Sequence, residues 1–208
     1  MLLLSREMNR LLEEEAPGPH PSFTLVHALY ALFILHDHHI GRQKLAATLY
    51  IGEGSARTLL RKLERRGFVS AGRAGCRLTT RGESLYGEAR MAFYLFEPRR
   101  GSLLGRVSYG VGVRGGGSLA KGVRERDEAI KAGADGAMTL VYRGKELQMP
   151  GLENVSREHP ELANDILHGV EPKDGDALII SWGKSVSGVI YGSLAAAWSV
   201  YERMSSGG

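Results

Sequence analysis

The sequence predicts an α+β chain in two parts: a helical N-terminal part closed by a β-hairpin, then a C-terminal two-layer α/β sandwich. Three observations predict it. Charge is uneven: residues 1–100 carry 15 basic and 10 acidic groups, a net of +5, and residues 101–208 carry 12 and 13, a net of −1. Such asymmetry suggests two domains with different partners. The apolar pattern changes near Arg106, from helical periodicity to short strands joined by both hairpins and helices. "EPRRGS", from Glu97 to Ser102, reads as the linker between them. The implied layout is a helix and linker over 1–21, a first domain over 22–98, a linker over 99–105 and a second domain over 106–204.

Residues 2–15 read as a short amphipathic helix, broken at "PGPHP" because Pro lacks the amide and clashes in a helix interior. Residues 24–36 form a strongly apolar helix, Arg42 to Leu49 a second, and "YIGEG" a turn. Ser55 to Arg66 is the next helix, closed by Gly67. "FVS", "AGRAG" and "CRLT" make a hairpin around a Gly-containing loop. Thr79 to about Phe96 is a further helix, capped by Thr79 or Thr80 with Glu83 reaching back. Beyond Arg106, "RVSYGVGVR" is a strand and "GGGS" a loop, and Lys121 to Ala132 is a helix. "AMTLVYR" and "KELQM" form a hairpin turning at Arg143-Gly144. The segment after Pro160 is helical, "DALIISW" is a buried strand, and Ser187 to Met204 closes the chain as a helix.

The composition, 43% hydrophobic and 24% charged, is that of a folded soluble protein. No apolar run reaches the ~18–20 residues of a membrane span, and "MLLLS" is too short for a signal peptide; the expectation is a cytoplasmic protein. The single cysteine, Cys76, permits no internal disulfide and no cysteine-based zinc site. It is expected as a small apolar residue in a strand.

Between Gly54 and Arg81 the chain holds eight Arg or Lys and one acid, Glu64. Ala56, Leu59, Leu60 and Leu63 recur at i, i+3, i+4 and i+7, one buried stripe. Arg57, Arg61 and Arg65 recur every four residues on the opposite face, with Thr58 beside them. A helix with leucine on one side and an arginine ladder on the other suits the major groove, where Arg reads guanine and binds phosphate. Ser55, Arg57, Thr58 and Arg61 are the base-facing candidates; Lys62 and Arg65 are phosphate candidates. A purely solvated face would carry interleaved acids, and only Glu64 interrupts this one.

The order helix, turn, helix, hairpin is that of a winged helix-turn-helix. "IGRQKLAATLYIGEGSARTLLRKLERRGFVSAGRAGCRLTTRGESL" resembles the winged-helix domains of bacterial and archaeal transcription regulators. It is similar to the central glycolytic gene repressor type and the broader multiple-antibiotic-resistance type. The resemblance covers roughly residues 24–90. The two-domain layout also resembles an archaeal family in which a winged helix precedes a small α/β domain. The resemblance implies that the wing tip, with Arg73, reaches the minor groove or a phosphate, and that Arg77 and Arg81 flank the backbone.

Other patterns are weaker. His36 and His39 of "HDHH" could share a helix face, but the spacing is loose, and no metal is expected. "GVGVRGGG" contains G-x-G-x-x-G, yet Gly110 and Gly112 alternate along a strand, against a dinucleotide site. Arg114, Gly115, Gly116, Gly117 and Lys121, with Lys184 and Ser185, are candidates for holding a small anionic ligand between strand and helix. The phosphate-loop reading of "SWGKSVSG" fails, because Leu178 stands where the motif needs Gly. Gly188, Gly192, Ala195, Ala196 and Ser199 give the last helix a small face, expected to pack within the chain. No catalytic set and no cofactor motif emerge.

The expected function is a homodimeric transcriptional regulator of double-stranded DNA, with a C-terminal domain that senses an effector or mediates assembly. The alternatives are an enzyme on a phosphorylated small molecule with a winged-helix appendage, and a non-specific nucleic-acid-binding or architectural protein.

Overall fold

A computed structural model describes residues 2–13, 22–72, 75–99, 102–103, 106–152 and 154–206. The chain folds as two compact units, Met1–Arg90 and Met91–Gly208.

In the first unit the helices are α1 (Leu2–Glu13), α2 (Leu25–Asp37), α3 (Arg42–Thr48), α4 (Glu53–Arg65) and α5 (Thr80–Ala92), with a hairpin of β1 (Val69–Gly72) and β2 (Gly75–Leu78) between α4 and α5. Helix α2 is the centre; Leu25, Val26, Leu29, Leu32 and Leu35 are among its buried residues. Helix α1 adds Leu4, Met8 and Leu11, fully buried at i, i+4 and i+7. Helix α4 buries the predicted stripe of Ala56, Leu59, Leu60 and Leu63. It ends where Gly67 turns left-handed at φ 72 and the Phe68 amide donates to the Leu63 carbonyl at 2.9 Å. In the hairpin, Val69 pairs with Leu78 and Gly72 with Gly75. Ile40 bridges Cys76 from the other side, and Cys76 is buried in its strand as expected.

Thr79 caps α5, its Oγ1 accepting the Gly82 amide at 3.1 Å. Glu83 does not reach back as expected; its carboxylate meets His36 Nδ1 at 2.8 Å. Helix α5 stops at Ala92, and Phe93–Phe96, expected to be helical, form a strand, β3. The physical reason lies downstream. Tyr94 pairs with Gly112 and Phe96 with Gly110, and any Cβ on those glycines would collide with the two rings. The second unit therefore begins inside the segment expected to end the first domain.

The second unit continues with β4 (Ser102–Leu103), β5 (Arg106–Val113), α6 (Val123–Lys131), β6 (Gly136–Arg143), β7 (Glu146–Gln148), α7 (Val155–Glu158), α8 (Pro160–Leu167), β8 (Ala177–Gly183) and α9 (Val186–Ser206). Its sheet is antiparallel throughout, in the order β3-β5-β8-β6-β7, with β4 also on β5. The β6–β7 turn sits on Gly144-Lys145, one residue later than predicted, with φ of 56° and 66°. That is the double-positive geometry that suits a two-residue hairpin. Helices α6 and α9 cover one face. On the other, Val155, Ala163 and Ile166 of α7 and α8 join Leu140, Leu147, Leu178, Ile180 and Phe96 in a buried cluster. The unit thus has three layers, not the expected two. The run "ALIIS" in β8 is buried at every position, as a strand covered on both faces must be. The small face of α9 packs within the chain: a Cβ on Gly192 would stand 2.8 Å from Ala134 Cβ. Among the described residues no helix is long and apolar enough to cross a membrane.

Candidate nucleic-acid interface

Helix α4 has three stripes, and they explain where the positive charge goes. The first is the buried leucine stripe. The second is Arg57, Arg61 and Arg65, all exposed. None of the three, nor the exposed Arg77 on β2, forms an ion pair or side-chain hydrogen bond with another described residue. The third stripe, Thr58, Lys62 and Arg66, is engaged within the unit. Thr58 Oγ1 donates to its own helix at the Gly54 carbonyl, 3.1 Å away.

Lys62 corrects the sequence reading. It was expected to contact phosphate, but it is 6% exposed and its Nζ donates to the Leu11 carbonyl of α1 at 2.9 Å. Arg66 meets the buried carboxylate of Glu7 at 2.8 Å, and Arg81 lies 3.7 Å from the same oxygen while covering the Phe68 ring. The Arg66 hydrogen bond holds the Glu7 carboxyl below its ordinary pKa, against the opposing effect of burial. Glu7 was missed in the sequence. Its signal was an acid at i+3 from Leu4 and i+4 before Leu11, on the apolar stripe of α1, where a carboxylate needs a cation.

Ser55 is half-buried, and its Oγ accepts the Ser22 amide at 3.2 Å and lies 2.9 Å from the Ser22 hydroxyl. Its hydroxyl ties the start of α4 to the chain leading into α2. The cations that α4 offers outward are therefore Arg57, Arg61 and Arg65, with the acids Glu53 and Glu64 also exposed on the helix.

The structure adds Arg42 and Lys44, both exposed in α3. With Gly41, Gln43, Glu53 and Arg57 they line a concave surface between α3 and α4. Cations in the first turn of a helix oppose its dipole, which was the available signal. Adjoining this surface, in a concavity that shares Gly41 and Arg42 with it, Glu64 Oε1 accepts the Ala71 amide at 3.0 Å and anchors β1 to α4. Arg73 lies outside the described residues. His36 stacks on Tyr86 at 3.9 Å besides meeting Glu83.

The expected anion cluster of the second unit does not assemble. Arg114 follows β5 beside Ala177, whereas Lys184 follows β8 at its far end, since Val113 pairs with Ala177 and Val107 with Gly183. At ~3.4 Å per residue the two ends lie roughly 20 Å apart. Arg114 and Gly115 already serve an internal anion. Asp176, 2% exposed, accepts Arg114 Nη1 at 2.6 Å, the Gly115 amide at 2.9 Å and the Lys173 amide at 2.8 Å. Arg114 also stacks on Tyr94, whose phenol is pushed up by burial and by Asp176. Gly116 and Gly117 are buried, the latter donating to the Gly175 carbonyl at 2.8 Å. The Lys121 amide donates to Glu125, which is fully buried and also bonded by Arg203. Ser185 caps α9 through the Gly188 amide at 3.3 Å, and Lys184 is exposed.

Residues 24–84 match the model of the PH0730-like N-terminal domain, and residues 104–200 match a domain of unknown function, DUF4443. No curated protein matches the chain. A solved structure, the MarR family protein Rv2887 of Mycobacterium tuberculosis in complex with p-aminosalicylic acid, aligns at 26% identity over 43% of this chain and 68% of that one; its TM-score of 0.28 carries no weight. The hypothetical protein PH0730 from Pyrococcus horikoshii OT3 is similar over 88% of this chain and 95% of its own, at 27% identity and a TM-score of 0.73, so the α+β architecture is shared with that protein.

Proposed function

We propose that this chain is a DNA-binding transcriptional regulator that acts as a homodimer. The observation that carries the reading is the sorting of cations on α4. Lys62 and Arg66 are turned inward and held by α1, while Arg57, Arg61 and Arg65 face outward and pair with no other described residue. Arg42, Lys44 and Arg77 are exposed on the adjoining elements. The second helix of such a unit enters the major groove and reads bases from its N-terminal part, so Arg57 and Arg61 are the base readers. Arg65, Arg42, Lys44 and Arg77 contact phosphates. The second unit then serves assembly, and its Asp176 and Glu125 networks are structural.

Fluorescence anisotropy against randomised DNA and RNA duplexes at several salt concentrations, with sequencing of the bound fraction, tests it. Four phosphate-contacting cations predict a slope of log K against log salt of about −4. An enriched, roughly palindromic DNA site is the expected outcome. A steep slope with no enriched site would replace the regulator with an architectural protein; absence of binding would leave the ladder a solvated face.

A further inference from the structure

The concave surface between α3 and α4 carries one charge of the wrong sign for a phosphate. Arg42, Lys44 and Arg57 line it together with Glu53, the first residue of α4. Glu53 and Arg57 stand at i and i+4, the spacing and order at which an acid and a cation pair best on a helix. Yet no ion pair or hydrogen bond joins the Glu53 side chain to Arg57 or to any other described residue, and both side chains are exposed. The carboxylate stands open to solvent amid three cations.

A negative charge at this place governs what α4 can meet. The first amides of a helix lack partners within it and ordinarily suit a phosphate. A carboxylate at the first position repels one, so the start of α4 is directed to base edges rather than to the backbone. The residues on either side permit that approach. Gly52 takes φ −63 and ψ 149, which any residue adopts. A Cβ on Gly52 or on Gly54 would meet nothing within 4 Å, and neither glycine has a positive φ. Gly54 lies within the helix, where glycine costs about 1 kcal/mol against alanine. Neither packing nor backbone geometry within the unit asks for these glycines; a groove closing on bare backbone does.

We infer that Glu53 is a base-reading residue whose carboxylate accepts a hydrogen bond from the 4-amino group of a cytosine in the major groove. A carboxylate is an acceptor only. Guanine and thymine present it with acceptors, and adenine sets its N7 acceptor beside its amino group; cytosine alone offers a donor without one. Arg57 lies about 6 Å further along the helix axis, so the guanine it reads falls within roughly two base steps of that cytosine. The inference deepens the DNA-binding reading above and rests on it.

The test is sequencing of the fraction bound from a randomised DNA duplex pool, with the full-length wild type, Glu53→Gln and Glu53→Ala. The wild-type site is expected to hold one cytosine that Glu53→Ala no longer selects. Glu53→Gln is expected to select adenine there, since Gln matches the adenine edge. A duplex with that cytosine exchanged for 2-pyrimidinone, which lacks the amino group, is expected to bind the wild type about tenfold or more weakly and Glu53→Ala without change. Both variants are expected to bind duplex lacking the site more tightly, because a charge that repels phosphate is gone. Were Glu53 only a helix-starting residue, the variants would lose thermal midpoint and bind every duplex more weakly by one common factor. That result, or one selected site shared by all three proteins, overturns the inference and leaves the DNA reading standing. A wild type that selects no site overturns both.

Discussion

Neighbouring cations on one helix have opposite fates, and single substitutions should separate them. Arg57→Ala or Arg61→Ala is expected to cost about 1–3 kcal/mol of DNA binding and to relax preference at one base pair. Lys62→Ala is expected to leave the salt slope unchanged while lowering the unfolding free energy by about 1–3 kcal/mol, because the buried Leu11 carbonyl loses its donor. Anisotropy and urea unfolding on the same preparations read both. Asp176→Ala is expected to cost about 3 kcal/mol, since Arg114 and two amides lose a buried acceptor. His27 supplies a pH dependence. Burial pushes its imidazole down to about 4, and its Nδ1 accepts the Thr24 amide at 3.1 Å, which requires the neutral ring. The unfolded chain takes up that proton below its ordinary value of 6.5 while the folded chain does not, so stability falls as pH drops from 6.5 toward 4. Replacing His27 with Gln should flatten unfolding free energy across that window. Acid stability equal in the two proteins would remove the assignment.

Among elements, the ring-on-glycine pairing of β3 and β5 decides where a helix ends and a sheet begins. Gly112→Ala puts a methyl into the Tyr94 ring. Overpacking of this kind costs about 1–3 kcal/mol, and the loss should show in thermal unfolding. The literal G-x-G-x-x-G is thereby accounted for: its first two glycines make room for Phe96 and Tyr94, and the third, Gly115, takes φ 66 and donates to Asp176. The buried stripe and the arginine ladder of α4 were legible, since both are local to one element, whereas the inward turn of Lys62 was not. Nor was strand β3. "FYLF" has no charge or glycine of its own to break the helix, and the residues that demand a strand lie near Gly110 and Gly112, far along the chain.

For the molecule as a whole, the sequence by itself determined the α+β class, the helix-turn-helix and hairpin order, the buried face of α4 and the internal packing of α9. Each follows from periodicity and turn chemistry within a short window. Only the tertiary structure decided which cations stay free, because Lys62 and Arg66 are withdrawn by Leu11 and Glu7, about 50 residues away in α1. It likewise dispersed the expected anion cluster, since antiparallel pairing of β5 and β8 sends Arg114 and Lys184 to opposite ends of the sheet. The third layer arises in the same way. Local pattern states that a face is apolar or that a strand has two edges, and long-range pairing chooses what covers them.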